Sequence, residues 1–486
     1  MAQTQSNLHR ARSEAVFEQA AQQVAALSAE LRQQTGYNSP LVEQALLAAW
    51  HETADGKDFK TVESDIDRSL ASDPEGASPL AVIGLLQVTG EAKYSVALKR
   101  LRDEALEKQN PAFQATYAAA YREPATYILH AFLAGKSSAE EFAQDVDAAA
   151  ALSLTTPVPA LLRKRVEDEA RYWMHRSEVS KSDRNWVAYA IAKAVRLGIL
   201  PATDQIHAIM LYRRADLPQN ADREQQAVRL LAATEMVQAR TALSDRGKMV
   251  LLDAWFNSET RLGLNGQPQL FHYKWAEQSD PGYYFFAQAF LRYGAQLRQL
   301  PAEPTAQSLR KADVYLIVSP DMQTKTPLPH LMDKKVARVI VDWVRRGGVL
   351  LIFENDPYNA EITHFNTLAD QFGIHFNSVR RNHVVGNHYA EGALNIPSGA
   401  GNIFSHSYLV YMKDICTIRA TDPAKAIFTK GGDTLMAVAH VGKGTVWAVT
   451  DPWFYNEYTD GRKLSPIYNN FSAAVDVAGW ALAHAR

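Results

Sequence analysis

One short apolar run limits what this chain can fold into more than any other feature. Thr445 to Val449 follows a glycine-bounded turn at Gly442 and breaks at Thr450-Asp451-Pro452. A continuous apolar run rich in β-branched residues suits a strand buried on both faces, so the chain must cover a sheet from each side. Beyond the break lies a loop dense in polar and aromatic groups, including Asp451, Tyr455, Asn456, Glu457, Asp460 and Arg462. Ligands of open α/β sheets gather at the carboxyl ends of strands. Asp451, Tyr455, Glu457 and Arg462 are therefore candidate substrate-binding residues. The competing reading is that the loop caps the sheet and pins a neighbouring domain, since a fold does not dictate a function.

Two similar runs, Val314 to Val318 and Val349 to Phe353, flank an amphipathic stretch from Lys335 to Arg346. Strand, helix and strand in that order make a βαβ unit with a right-handed crossover. His364 to Phe372 predicts a helix, Ile374 to Phe376 and Met436 to His440 predict strands, and Ala473 to His484 predicts a closing helix. Residues 301–486 thus read as one α/β domain. Residues 253–300 read as a connecting segment, in which Phe271-His272-Tyr273-Lys274-Trp275 alternates aromatic and polar groups and Ser279-Asp280-Pro281-Gly282 marks a turn. The single cysteine, Cys416, excludes an internal disulfide and a cysteine-rich metal site. It stands in an alternating stretch, Met412 to Arg419, that reads as a strand, where it serves as a small apolar filler.

Residues 1–252 have a different texture, rich in Ala, Leu, Glu, Gln and Arg, with apolar residues at helical spacing in Val16 to Leu31, Pro79 to Gln87, Tyr94 to Leu106, Val158 to Met174 and Trp186 to Leu197. Breakers recur at Tyr37-Asn38-Ser39-Pro40, Asp73-Pro74-Glu75-Gly76, Thr89-Gly90, Asn110-Pro111, Gly135-Lys136-Ser137-Ser138 and Gly198. Ser39 before Pro40 and Ser78 before Pro79 have the form of an N-cap followed by proline in the first turn. The region reads as all helix, in about a dozen segments with short connections. Two arrangements fit, a closed (α/α)6 toroid of helical hairpins and an open solenoid of helix pairs. A solenoid predicts a fixed repeat period, and none is present, which favours the toroid.

A chain of 486 residues exceeds what one hydrophobic core organises, which agrees with two domains. A formal charge of -2 supplies no field for collecting nucleic-acid phosphates, so nucleic acid is not an expected partner. No apolar run approaches the ~20 residues of a membrane-spanning helix, and no signal peptide is visible. The start at Met1-Ala2-Gln3-Thr4-Gln5 also suits an exported chain after processing, so a periplasmic or secreted location is expected, with the cytoplasm as the alternative.

Several phrases carry a family resemblance. Leu85 to Tyr94 (LLQVTGEAKY), Trp186 to Leu200 and Leu230 to Met236 resemble barrel helices of six-hairpin glycosidases, in particular the unsaturated rhamnogalacturonyl hydrolases of glycoside hydrolase families 88 and 105. FHYKW, the Asp313 to Val318 strand, DWVRRGGVLLIFEND, HFNTLADQFGIHF, Phe404 to Tyr411 and VGKGTVWAVTDPWFYNEYTDGRKL together resemble the class I glutamine-amidotransferase-like, flavodoxin-like domain that follows the barrel in some of these enzymes. The resemblance implies an oligosaccharide substrate, an unsaturated rhamnogalacturonan fragment, and no cofactor or metal. It implies hydration of the double bond in a terminal unsaturated galacturonyl unit. A carboxylic acid of raised pKa protonates the enol ether carbon and a second carboxylate orients the water. Amidotransfer itself is not expected, because that chemistry needs a cysteine on a strand-to-helix elbow, and the second strand is followed instead by Glu354-Asn355-Asp356-Pro357.

The barrel phrases lack the family's Trp-Gly-Arg-x-x-Gly-Trp signature, so acid and base are sought in the residues themselves. Asp183 in Ser182-Asp183-Arg184-Asn185-Trp186 and Asp222 in Asn220-Ala221-Asp222-Arg223-Glu224 are the candidate catalytic carboxylates, with His175, Trp186 and Arg223 as substrate contacts. The competing reading makes each Asp a helix N-cap, worth ~1 kcal/mol, and the aromatics core filling. His272, His364, His375, His383, His388 and His440 are not spaced as metal ligands, and Asn382 to His388 reads as a turn-rich connection. Two functions follow: a glycoside hydrolase-like protein of pectin degradation, or a non-catalytic carbohydrate-binding or scaffold protein on a degenerate barrel.

Overall fold

The computed structural model describes residues 2–34, 39–73, 77–107, 110–123, 137–155, 157–239 and 247–485. The breakers at Tyr37-Asn38, Pro74-Glu75-Gly76 and Gly135-Lys136 lie outside them, as does Met1. The chain forms two compact units, one of Met1–Arg246 with Leu291–Gly294, the other of Gly247–Phe290 with Ala295–Arg486.

The first unit is helical. Its described helices are α1 (Ala2–Gln33), α2 (Pro40–Thr53), α3 (Gly56–Ser72), α4 (Pro79–Thr89), α5 (Ala92–Glu107), α6 (Pro111–Tyr121), α7 (Ala139–Ser153), α8 (Ala160–Met174), α9 (Asp183–Arg196), α10 (Gln205–Arg213) and α11 (Arg223–Ala239). Local signals place their ends. Ser39 and Ser78 accept the backbone N–H groups of Val42 and Ala81 ahead of the prolines that open α2 and α4, and Ser138 with Glu141 forms a capping box on α7. Gly90 ends α4 in the left-handed conformation at φ 70°, where a residue with a Cβ is strained.

Packing among these helices runs in a circuit. Helix α2 packs on α4, α4 on α6, α6 on α7, α7 on α9, α9 on α11, and α11 returns to α2. The remaining described helices lie against this circuit: α1 on α11 and α2, α3 on α2 and α4, α5 on α4 and α6, α8 on α7 and α9, and α10 on α9 and α11. Composition follows position. Helices α9 and α11, in the circuit, bury residues all round, including Val187 to Ala192 and Gln226 to Met236, whereas α3 buries one stripe at Phe59, Val62, Ile66 and Ser69.

The second unit is α/β. A nine-stranded sheet has the order β4-β1-β5-β6-β13-β12-β10-β7, with β11 on β12. Its strands are β1 (Met249–Asp253), β4 (Gln296–Leu300), β5 (Val314–Val318), β6 (Val349–Phe353), β7 (Ile374–Arg381), β10 (Ile415–Ala420), β11 (Ala424–Lys430), β12 (Asp433–Val441) and β13 (Gly444–Val449). The pairings from β4 through β13 are parallel, and those beyond β13 are antiparallel. Hairpins β2 (Thr260–Leu262) with β3 (Pro268–Leu270) and β8 (Ala393–Ile396) with β9 (Tyr408–Tyr411) stand apart from the sheet. Two strands depart from expectation. Met249–Asp253 lies in a stretch read as helix, and Gln296–Leu300 in one read as a connection. Val250-Leu251-Leu252 is too short an apolar run for periodicity to separate strand from helix.

Both faces of the central strands are covered. On one, Tyr315, Ile317, Leu350, Ile352, Val446 and Ala448 share a core with α14 (Lys334–Arg345) and α15 (Ile362–Ala369). On the other, Phe353 meets Phe286 of α12 (Tyr284–Leu291) at 5.7 Å between ring centres, and Trp447 meets Trp480 of α17 (Asn470–His484) at 6.4 Å. Each large side chain withdrawn from water in this way contributes roughly 1.5–3 kcal/mol. The turn before β13 needs its glycines: a Cβ on Gly444 would sit 2.0 Å from the Val344 carbonyl, which sets how closely α14 approaches the sheet.

In the helical unit, Glu43 of α2 is buried with no hydrogen-bond partner on either carboxyl oxygen. Burial, and after it nearby Asp65, pushes its pKa from 4.5 up to about 8. A folded pKa above the unfolded one stabilises the fold below the unfolded value, and that contribution is lost as pH rises through the folded value. Glu43→Gln is therefore expected to flatten the stability curve between pH 4.5 and about 8. Denaturant melts across that window should show the wild type losing ~2–4 kcal/mol that the variant keeps.

Candidate functional site

Strand register assembles the site in the α/β unit. Val318 pairs with Phe353, and Phe353 with Val449, so β5, β6 and β13 end level. Ser319, Glu354 and Thr450 leave the sheet side by side, and none is exposed to solvent. Ser319 holds φ 40°, an unusual backbone conformation for a residue with a Cβ. The Glu354 carboxyl accepts the Asn355 N–H at 3.2 Å through one oxygen, while its other oxygen has no hydrogen-bond partner within the protein. Burial holds this acid well above the ordinary carboxylate range, with Glu361 adding to the effect and Lys325 opposing it.

Asp451 lies two residues beyond the end of β13. Its carboxyl is buried, accepts the Lys413 N–H at 2.7 Å, and is pushed well above the ordinary carboxylate range by burial. Tyr273, Tyr283, Tyr411 and Tyr455 all lie close enough to feel its charge. Tyr411 and Tyr458 form the floor of a small tyrosine cluster, 4.5 Å between ring centres, with Tyr389, Tyr455 and Tyr468 partly buried against it. Beside the cluster, Asp414 accepts from Arg380 at 2.9 and 2.6 Å and lies 2.7 Å from His383 Nδ1. Arg380 also pairs with the buried Asp356 at 2.9 Å.

The rest of the β13 loop is tied down. Arg462 pairs with Asp460 at 2.7 Å and with Asp280 at 2.6 Å, and Lys463 joins Asp280 at 2.7 Å and also Glu457. Asn456 donates to the carbonyls of Glu277 and Ser279 at 2.8 Å. Of the four candidates on this loop, Asp451 and Tyr455 are therefore brought together, while Arg462 is ion-paired with Asp280 and Asp460 and Glu457 with Lys463. Near the ends of β1 and β5 a buried lysine, Lys274, donates to the carbonyl and side-chain oxygens of Asn257 at 2.8 and 2.6 Å. Burial pushes its pKa down to about 8.

Cys416 is in β10, buried, with its sulfur 3.8 Å from the Thr450 carbonyl. Burial, followed by the charge of Glu354, raises its pKa well above that of a free thiol. That setting makes it a poor nucleophile.

In the helical unit the candidate acids make local bonds. Asp222 accepts the Gln225 N–H at 2.8 Å while Gln225 accepts the Asp222 N–H at 3.3 Å, a reciprocal cap on α11. Asp183, in the first turn of α9, accepts the Ser180 hydroxyl at 2.7 Å. His175 ends α8 with Nδ1 2.8 Å from the Arg171 carbonyl, Trp186 is half-buried in α9, and Arg223 opens α11. The polar groups inside the circuit were not picked out from sequence. Asp147 of α7 accepts from Gln44 of α2 at 2.9 Å, and from Tyr189 and Lys193 of α9 at 2.6 and 2.7 Å. Glu235 of α11 accepts twice from Arg196 of α9, at 3.0 and 2.8 Å. Burial holds Glu52 of α2 up to about 7. Their only sequence signal is helical spacing, Tyr189, Lys193 and Arg196 falling on one face of α9. Among the described residues, no group of three or more His, Cys, Asp or Glu is placed to hold a metal ion, and no helix is long and apolar enough to cross a membrane.

No protein-family model matches this chain, and no curated protein matches it. Distant structural neighbours include an mmIFT52 N-terminal domain, at 17% identity over 49% of this chain and 97% of that one with a TM-score of 0.35. Two glycoside hydrolases are also among them. The exo-beta-1,4-mannosidase Op5Man5 from Opitutaceae bacterium strain TAV5 has 12% identity over 65% of this chain and 52% of that one, TM-score 0.29. Gan42B, a GH42 beta-galactosidase from G. stearothermophilus, has 8% identity over 73% of this chain and 61% of that one, TM-score 0.26. At such scores neither a common fold nor a common chemistry follows.

Two outcomes are expected here. Arg462→Met withdraws a cation from the fully buried Asp460 and should cost about 3 kcal/mol in urea melts, with Asp460→Asn in the same chain restoring most of it. Cys416 should resist an aromatic disulfide reagent in the folded protein and react as one thiol per chain after denaturation.

Proposed function

We propose that this chain is a carbohydrate-active protein, a glycoside hydrolase-like protein of pectin or rhamnogalacturonan degradation that acts on terminal unsaturated galacturonyl residues. The observation that carries the reading is the packing circuit of the helical unit, in which α11 returns to α2 and the five other described helices pack against it. Such a circuit is in keeping with an (α/α)6 toroid and with the resemblance of LLQVTGEAKY and of the α9 and α11 phrases to six-hairpin glycosidases. The α/β unit, with a parallel order of β4-β1-β5-β6-β13, is in keeping with an amidotransferase-like, flavodoxin-like domain. Its buried thiol gives it no amidotransferase nucleophile. An oligosaccharide partner and a periplasmic or secreted location belong to this reading.

In this reading a carboxylic acid delivers a proton to the enol ether carbon while a carboxylate positions water for the neighbouring carbon, and the resulting hemiketal opens to release the rest of the oligomer. Asp183 and Asp222 are assigned these roles, with His175, Trp186 and Arg223 holding the sugar. A second reading is favoured by a specific observation: both acids are engaged in bonds within their own helix turns, and Asp147 and Glu235 inside the circuit are paired with Tyr189, Lys193 and Arg196. It makes the chain a non-catalytic carbohydrate-binding or scaffold protein.

One assay separates the two. Lyase-digested rhamnogalacturonan absorbs in the ultraviolet through its unsaturated end, and turnover removes that absorbance. The hydrolase reading expects a loss on adding protein, and at least a 100-fold slower loss with Asp183→Asn or Asp222→Asn, the order expected for removing a general acid or base. A wild type that binds the digest without bleaching it supports the scaffold reading.

A further inference from the structure

The carboxyl edge of the α/β sheet holds aromatic faces that the structure leaves available. Tyr358, on the loop after β6, is 68% exposed, and the Arg380 guanidinium lies 5.3 Å from its ring centre. Arg380 leads to Asp414, which is bonded to His383, and Lys413 lies 5.8 Å from the ring centre of Tyr458. Tyr389 stands edge-on to Tyr411 at 5.5 Å and 83°, its hydroxyl fixed by Asn387 at 3.1 Å. Tyr358 thus lies against Arg380, and Tyr389 joins the same charged hydrogen-bonding groups through Tyr458 and Lys413.

We propose that this edge, from Tyr358 across Arg380, Asp414 and His383 to Tyr389, is a saccharide-binding subsite that takes the neutral sugar of an oligosaccharide. The chemistry of the edge selects that ligand. Pyranose rings present C–H faces that pack on aromatic rings, and hydroxyls that donate to carboxylates and accept from guanidinium and imidazole groups. Two carboxylates, Asp356 and Asp414, stand against two cations, Arg380 and Lys413, so the centre favours neither an anion nor a cation. Asp414, held by Arg380 and His383, is a pre-ordered acceptor, and ordering before binding lowers the cost of association. The Arg462 and Asn456 bonds that fix the β13 loop hold Tyr455 and Tyr458 under the cluster for the same reason. The choice of an oligosaccharide with neutral and acidic units rests on the function proposed above. The location and neutrality of the subsite rest on this edge alone.

The test is calorimetric titration of the full chain with lyase-digested rhamnogalacturonan oligosaccharides, and separately with trigalacturonate, whose units are all acidic. Binding of the first, with trigalacturonate at least tenfold weaker, is expected. Tyr358→Ala and Tyr389→Ala should each weaken binding about tenfold, the loss of a contact worth ~1.4 kcal/mol, with thermal unfolding unchanged for the exposed Tyr358. Tyr389→Phe, which keeps the ring, should retain most of the affinity and guards against a folding defect in the Ala variant. No binding by the wild type, equal binding of trigalacturonate, or unchanged affinity in both Ala variants overturns the subsite. Ultraviolet bleaching is followed in the same samples. Bleaching with unaltered affinity in the variants retains the hydrolase and removes the subsite, whereas variant-sensitive binding without bleaching retains the subsite and removes the hydrolase.

Discussion

The α/β unit depends on three strands buried on both faces ending at one level. Val318, Phe353 and Val449 pair across β5, β6 and β13, so whatever follows them must leave the sheet together. The residues that follow are polar, Ser319, Glu354 and Thr450-Asp451, and they emerge under cover rather than into water. A carboxyl group placed there has two outcomes open to it, a partner or a proton. Asp356 has Arg380, while burial raises Glu354 and Asp451 well above the ordinary carboxylate range. Buried acids of raised pKa at this edge follow from the register, without any special local motif.

The helical unit meets the same constraint by pairing. Helices in a closed packing circuit have neighbours on nearly every side, so polar residues on their inner faces have to satisfy one another. Asp147 gathers Gln44, Tyr189 and Lys193 from two other helices, and Arg196 bonds Glu235 through two nitrogens. Such bonds add little net stability compared with apolar residues of the same size, since desolvating the charges costs nearly as much as their attraction returns. Their effect is on specificity: a helix rotated on its axis would strand a buried charge. Glu43, whose carboxyl has no hydrogen-bond partner, resolves the same conflict by taking up a proton.

How much could be read from the residues follows from the range of the forces involved. The β5, β6 and β13 runs were legible because a strand buried on two faces writes itself as an uninterrupted apolar run, and α14 because its apolar residues repeat at helical spacing. Ser39, Ser78 and Gly90 were legible because caps act over three or four residues. Strand β1 was not, since so short an apolar run fits either period, and what makes it a strand is its pairing with β4 and β5. Of the site, Asp451 and Tyr455 stood out on a single loop. His383 stood out only within a turn-rich connection, and Asp414 and Arg380 did not, because Arg380 and Asp414 lie 34 residues apart and meet only through the pairing of β7 with β10. Arg462 is legible as a charge on this loop, but its pairing with Asp280, 182 residues away, is not, because sequence shows the charge and not its partner.

Rigidity and exposure are divided at this edge in a way that bears on what it can do. The buried half, Asp451 with Tyr411 and Tyr458, is fixed by neighbours above and below, and the β13 loop is fixed by Arg462, Lys463 and Asn456. The outer half keeps aromatic surface in water at Tyr358 and partly at Tyr389. Had the fold needed these rings for stability, burial would have claimed them, as it did Tyr411. An exposed ring held over a rigid, hydrogen-bonded base loses little freedom when a ligand packs on it, because the base has already been ordered by folding. Affinity at such a place comes from the contact area of the outer rings, and selectivity comes from the fixed donors and acceptors between them.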